Sequence, residues 1–178
     1  LDIEHIPEEE RIIGRDDEIS EIANSIHHAI RGGKPRNTLI YGKTGTGKSL
    51  VSRHVTRSAQ EYAQREGTRL RRAYIDCTQA TTETQAVIKL ARTLNEPDET
   101  DVSIPLSGLS TNVYYNRLWE ILDSIYDVVI IILDEVDKLK ANDLLMQLSR
   151  AGEAGKVDTC KVGILAISNK ISFKDDLD

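Results

Sequence analysis

The stretch Gly42-Lys43-Thr44-Gly45-Thr46-Gly47-Lys48-Ser49 decides the fold. It fits the phosphate-binding pattern G-x-x-x-x-G-K-[ST]. Before it, Thr38-Leu39-Ile40-Tyr41 reads as a short buried strand. After it, Leu50, Val51, His54, Val55 and Tyr62 mark one face of a helix. A strand, a glycine-rich turn and a helix start together aim several backbone N–H groups and the positive helix end at one anion. The three glycines permit the dihedrals and the close approach that a Cβ forbids. Lys48 is expected on the β- and γ-phosphates and Ser49 on Mg²⁺. The chain is therefore expected to bind ATP or ADP with Mg²⁺ through Gly42, Lys43, Thr44, Gly45, Thr46, Gly47, Lys48 and Ser49.

Working outward, strands alternate with helices. Toward the N-terminus, Ile19, Ile22, Ala23, Ile26 and Ile30 recur at helical spacing after Asp16-Asp17, and Gly32-Gly33 with Pro35 stops the run. Toward the C-terminus, Gly67 breaks the second helix and Ala73 to Asp76 reads as a strand. Val87, Leu90, Ala91 and Leu94 give an amphipathic helix. Residues 95–110 show no periodicity, and a loop of that length in a compact domain is usually functional or mobile. A helix follows with Tyr114, Leu118, Ile121, Leu122 and Ile125 on its apolar face. Its other face carries Asn112, Tyr115, Asn116 and Trp119. Two readings of that face stand open: Tyr115 and Trp119 pack under the preceding loop, or loop and helix form a wedge against a DNA groove. Val128 to Leu133 is an uninterrupted apolar run, as in a strand buried on both faces of a parallel sheet. Leu144, Leu145 and Leu148 mark a short helix, and Val162 to Ile167 a last strand. The pattern predicts an α/β fold, a parallel sheet with helices on both faces, filling residues 1–178 as one nucleotide-binding domain.

In such sheets ligands sit outside the carboxyl ends of the strands. Asp134-Glu135 ends the most hydrophobic strand, a Walker B pattern. Asp134 is expected in the Mg²⁺ shell, and Glu135 is placed to polarise water for attack on the γ-phosphate. A kinase takes its nucleophile from the substrate and needs no such carboxylate, so the pair favours an ATPase. Asn169 ends the last strand, where an amide orients the attacking water or contacts the γ-phosphate; a turn-forming asparagine is the alternative.

Bulk properties narrow the class. The net charge of −6 excludes a global attraction for nucleic acid, so any DNA contact is local. No apolar run is long enough to span a membrane. The two cysteines, Cys77 and Cys160, have no metal-ligand spacing and read as intracellular thiols.

With phosphate loop, Walker B and strand-end asparagine in this order, the chain resembles an AAA+ ATPase core, with Asn169 at the position called sensor 1. More narrowly it resembles the archaeal and eukaryotic replication initiators, the largest subunit of the origin recognition complex and its cell-division-control relative. The resemblance rests on Ile6-Pro7 with Gly14-Arg15-Asp16-Asp17-Glu18-Ile19, on the phosphate loop, on Ile104-Pro105-Leu106-Ser107-Gly108-Leu109-Ser110 with the helix carrying Tyr114 and Leu118, and on Leu133-Asp134-Glu135-Val136-Asp137-Lys138-Leu139. It implies that Ile13, Arg15 and Leu50 also line the nucleotide site. It implies an extra helical element before Walker B that touches duplex origin DNA through Ser107, Gly108, Leu109, Ser110 and Thr111. A replicative helicase and other initiator subunits or further copies are the implied partners. The implied setting is the cytoplasm and nucleoid of an archaeon, which the composition favours, or a eukaryotic nucleus. Against the family pattern, the sequence stops just past sensor 1, before the fifth strand, the lid and the winged helix. Arg150 is either an arginine finger acting on a neighbouring protomer or an exposed helix-end arginine. An AAA+ or related signalling ATPase without a DNA role, or a scaffold that binds nucleotide without hydrolysis, are the alternatives.

Overall fold

The structure, a computed structural model, describes residues 16–35, 37–41, 47–140 and 143–168. In chain order the elements are α1 (Asp16–Ile30), β1 (Thr38–Tyr41), α2 (Lys48–Arg65), β2 (Leu70–Asp76), α3 (Glu83–Leu94), α4 (Thr111–Ile125), β3 (Val128–Asp134), α5 (Asp143–Ser149) and β4 (Lys161–Ser168). A short 3-10 turn, Val136–Lys138, follows β3. The strands form a four-stranded sheet in the order β1-β4-β3-β2, and every pairing is parallel.

Alternation along the strands divides the core in two. Val129, Ile131 and Leu133 of β3, with Ala73 and Ile75 of β2 and Ile164 and Ala166 of β4, pack with α3, α4 and α5. Val128, Ile130 and Ile132, with Leu70, Leu165 and Ile167, pack with α1 and α2 through Ile22, Ile26, Val51, Val55 and Ala59. Both faces of β3 are thus covered, which is why its sequence is an unbroken apolar run rather than an alternating one. At Gly163 the sheet meets the chain before β1: a Cβ there would lie 2.9 Å from Pro35 Cβ and 3.1 Å from Ile130 Cδ1.

The ends of the helices follow from local chemistry. Thr82 and Gln85 form a reciprocal capping box on α3, with Gln85 N–H donating to Thr82 Oγ1 at 3.2 Å and Thr82 N–H to Gln85 Oε1 at 3.3 Å. Ser110 caps α4 by accepting from Val113 N–H. The crossover from β2 to β3 holds two helices, and the loop between them is tied down. Asn95 Nδ2 donates to Val102 O at 2.9 Å, Arg92 to Ile104 O at 2.7 Å, Arg117 to Ser103 O at 2.6 Å and Tyr114 OH to Pro105 O at 2.8 Å. Two of its acids pair with arginines at the start of the edge strand: Glu99 with Arg69, just before β2, through two 2.9 Å contacts, and Glu96 with Arg71 of β2 at 2.7 Å.

Those pairs explain a difference from the sequence reading. The second strand starts at Leu70, not Ala73. Arg71 and Arg72 obscure it in the sequence. As an edge strand, β2 can carry them, because their heads reach Glu96 and the Arg53 carbonyl, the latter at 2.8 Å.

Candidate functional site at the carboxyl edge of the sheet

Parallel pairing brings the strand ends to one edge. Tyr41 pairs with Ser168, Leu133 with Ala166 and Asp76 with Asp134. The phosphate-loop strand β1 is thus separated from the acid-bearing strand β3 by β4, and α2 begins at this edge. Its N-cap is Gly47, at φ 75 and ψ 13, a left-handed conformation that side chains with a Cβ seldom adopt. Lys48 and Ser49 open the first turn of α2. Leu50 is half-buried and packs against the α1–α2 core. Ile13, Arg15, Gly42, Lys43, Thr44, Gly45, Thr46 and Asn169 lie outside the described residues, as do the side chains of Lys48 and Ser49.

Asp134, the last residue of β3, is half-buried and two steps beyond Ile132, which places it on the α2 face of the sheet. Tyr74 of β2 pairs with Ile132 and shares that face. Its hydroxyl donates to Asp134 Oδ2. The Arg53 guanidinium of α2 lies over the Tyr74 ring, 3.9 Å from the centroid. Burial first, and then the bond to Asp134, push the Tyr74 phenol up to about 12, so it remains a donor at neutral pH.

Glu135 follows with φ 52 and ψ 48, left-handed and uncommon for a residue with a side chain. Its carbonyl accepts from Lys138 N–H at 2.9 Å, closing the 3-10 turn. Ser168 Oγ donates to Asp137 Oδ1 at 3.0 Å, which fixes the turn to the end of β4, one residue before Asn169. Cys77 N–H donates to Asp134 O at 2.9 Å, and Lys140 N–H to Thr81 O at 2.9 Å. Acid density is high here: burial first, then Asp76, Asp134, Asp137 and Glu135, push the Cys77 thiol up to about 12. Cys77 and Cys160 are both buried free thiols, and Cys160 is likewise pushed up to about 12, by burial and then by Asp123 and Asp127.

Among the described residues no cluster of three or more His, Cys, Asp or Glu side chains could hold a metal. One strand-end carboxylate beside a phosphate-loop helix fits Mg²⁺ nonetheless, because that ion takes one or two carboxylates and completes its shell with water and phosphate oxygens.

The proposed DNA loop lies on the same edge. Thr111 Oγ1 is 2.6 Å from Thr84 Oγ1, so the N-termini of α3 and α4 stand side by side. Ser107 and Gly108 are exposed, Leu109 is half-buried, Ser110 caps α4, and Leu106 is 71% exposed. Tyr115 and Trp119 are buried at 4% and 5% exposure, with ring centroids 5.7 Å apart. Tyr115 OH donates to Glu83 Oε2 at 2.8 Å. Both aromatics of that helix face are thus buried, with the start of α3 as the partner of the Tyr115 hydroxyl, and they form no outer wedge. Arg150 is exposed and follows α5.

Sequence reasoning missed Tyr74, Arg53, Asp137 and Ser168. Alternation assigns Tyr74 a face, but only the β2–β3 register shows which carboxylate shares it. No described helix is long and apolar enough to cross a membrane.

The AAA domain family matches residues 30–170. ORC1-type DNA replication protein 4 of Halobacterium salinarum is 54% identical over 99% of this chain and 43% of its own length. ORC1-type DNA replication protein 2 of the same organism is also 54% identical, over 99% of this chain and 66% of its own. Among solved structures, the Aeropyrum pernix ORC1 protein in complex with DNA superposes with a TM-score of 0.76 at 29% identity, covering 97% of this chain and 44% of that one. The chain thus spans about half the length of such relatives. It belongs to the AAA domain family, as a P-loop AAA+ core of the archaeal ORC1/Cdc6 type.

Proposed function

We propose that this chain is the ATP-binding and ATP-hydrolysing core of a replication initiator that recognises duplex origin DNA and promotes helicase loading. The observation that carries the catalytic part is Asp134-Glu135 at the carboxyl end of β3, on the edge where α2 starts from the phosphate loop. Gly42 to Ser49 cradle the phosphates with backbone N–H groups, and Lys48 adds a point charge on the β- and γ-phosphates. Ser49 and Asp134 would hold Mg²⁺, which neutralises charge developing on the phosphoryl oxygens. Glu135 orients and polarises water, and Asn169 helps place it. Ile13, Arg15 and Leu50 close on the rest of the nucleotide.

The DNA part is supported by the exposed tip at Leu106, Ser107 and Gly108. Leu106 is 71% exposed there and, with Ser107 and Gly108, forms the part of this tied loop that stands open to a partner. The relatives' names and the DNA-bound ORC1 neighbour support the same reading. Leu109, Ser110 and Thr111 complete the contact segment. The proposed partners are origin DNA, a replicative helicase and other initiator subunits or copies, in the cytoplasm and nucleoid.

The experiment separates binding from turnover in the full-length protein. Lys48→Ala is expected to abolish tight binding of a fluorescent ATP analogue. Glu135→Gln is expected to retain binding and to slow hydrolysis by about 10²-fold or more. Unchanged affinity in the first, or wild-type turnover in the second, refutes the corresponding role.

A further inference from the structure

Asp134 is a carboxylate whose rotation about its last torsion is intrinsically soft. One hydrogen bond to it comes from a different strand. Tyr74 lies two residues before the end of β2, on the face it shares with Ile132 and Asp134, and its hydroxyl donates to Asp134 Oδ2. The ring is in turn held by Arg53, one helical turn past Ser49 on α2, whose guanidinium lies 3.9 Å from the ring centroid. The Arg53 carbonyl accepts from Arg72 Nη1 at 2.8 Å, which ties the same turn of α2 to β2 a second time.

We propose that Tyr74 is a positioning residue for the metal–nucleotide complex. Its hydroxyl sets the orientation of the Asp134 carboxylate, and Arg53 fixes the tyrosine relative to the helix that carries the phosphate loop. The phosphate-binding and metal-binding halves of the site are thereby aligned through one side-chain chain, Arg53–Tyr74–Asp134. A purely structural tyrosine needs only some partner for its hydroxyl, and the half-buried Tyr74 has solvent within reach; its partner is instead the strand-end carboxylate. Groups that hydrogen-bond a metal-ligating carboxylate raise its effectiveness as a ligand, and their loss typically lowers metal affinity about 10- to 100-fold.

This inference rests on the reading of Asp134 as a member of the Mg²⁺ shell, and the test separates the two. Tyr74→Phe removes one oxygen and leaves the ring under Arg53. In the full-length protein, binding of a fluorescent ADP analogue is measured in excess EDTA and then across a Mg²⁺ titration, for wild type, Tyr74→Phe and Asp134→Asn. The expected result is an unchanged metal-free affinity for Tyr74→Phe and a Mg²⁺ midpoint raised by about 10-fold. The same midpoint as wild type overturns the proposal. So does a lower one, which would mean that the hydroxyl competes with the metal. Mg²⁺ dependence that is lost in Asp134→Asn but unaltered in Tyr74→Phe refutes the role of Tyr74 alone. Mg²⁺ dependence absent from wild type, or intact in Asp134→Asn, refutes the reading of Asp134 and the proposal with it.

Discussion

Replacing Asp123 by asparagine removes one charge from the far side of the sheet and should cost the domain a measurable part of its stability. Asp123 sits near the end of α4 and receives the turn that leads into β4. Its Oδ2 accepts from Asp158 N–H at 2.9 Å; its Oδ1 accepts from Thr159 N–H at 3.1 Å, Cys160 N–H at 3.0 Å and Thr159 Oγ1 at 3.3 Å. Asp158 and Thr159 are exposed, so water can replace the carboxylate there. Cys160 is buried, and its N–H has no such substitute. Asparagine keeps an Oδ1 that can accept from Cys160 N–H but turns an Nδ2 donor toward Asp158 N–H, so the loss is that of charge-assisted bonds weakened to neutral ones, about 1 kcal/mol. Burial alone would raise the Asp123 pKa, but the N–H groups of Cys160, Asp158 and Thr159 outweigh it and hold the pKa below the usual carboxylate value. A depressed folded-state pKa contributes stability above the unfolded pKa of about 3.9, and that contribution is lost as pH falls through the folded value. Urea unfolding followed by Trp119 emission should thus show a gap between wild type and Asp123→Asn at pH 7 that narrows as pH drops below about 4. Equal stability at pH 7, or a gap constant down to pH 3, would refute the account.

Leu118 is fully buried between α4 and the sheet, and Leu118→Ala should destabilise by about 2–5 kcal/mol in the same assay; a loss under about 1 kcal/mol would mean the cavity collapses freely. Leu106→Ala should leave stability within about 0.5 kcal/mol, since the side chain is mostly in solvent. The same variant is expected to weaken duplex binding by the full-length protein, measured by fluorescence anisotropy at fixed salt, and unchanged affinity would remove Leu106 from the proposed contact.

Most of the fold was legible because its signals are local. The apolar run of β3, the helical spacing around Ile22 and Ile26, and the leucines of α5 each depend on neighbours a few residues away. The proposed site was legible as far as its motifs reach: Asp134-Glu135 stands at the end of β3, and a strand end is a position a sequence can mark. What stayed hidden depends on partners remote in the chain. Tyr74 meets Asp134 across 60 residues, and Asp123 meets Thr159 across 36, and no periodicity carries that information. Charge concealed the start of β2, since two arginines in a strand are tolerated only where an edge lets their heads escape. The outer face of α4 was ambiguous for a related reason. Tyr115 and Trp119 look exposed by helical spacing against a sheet alone, but α3 lies alongside, and the half-buried Glu83 at its start supplies the partner for the Tyr115 hydroxyl.

The turn after β3 shows where fold and chemistry pull apart. Asp134 lies on the α2 face, whereas Val136 and Leu139 are buried in the opposite core, at 1% and 6% exposure. The backbone changes sides within two residues, and Glu135 absorbs the change at φ 52. For a residue with a Cβ this conformation costs about 1–2 kcal/mol. The Ser168–Asp137 bond, the Lys138-to-Glu135 closure and the burial of Val136 and Leu139 hold the turn against that cost. On backbone grounds glycine or asparagine would suit position 135 better, so stability does not account for a glutamate there. A carboxylate held at the carboxyl edge of the sheet, next to the residue read as the Mg²⁺ ligand, is what polarising water for attack on a γ-phosphate requires. The strain at Glu135 is thus a physical observation, beside the motif, that supports the hydrolytic role proposed for that side chain.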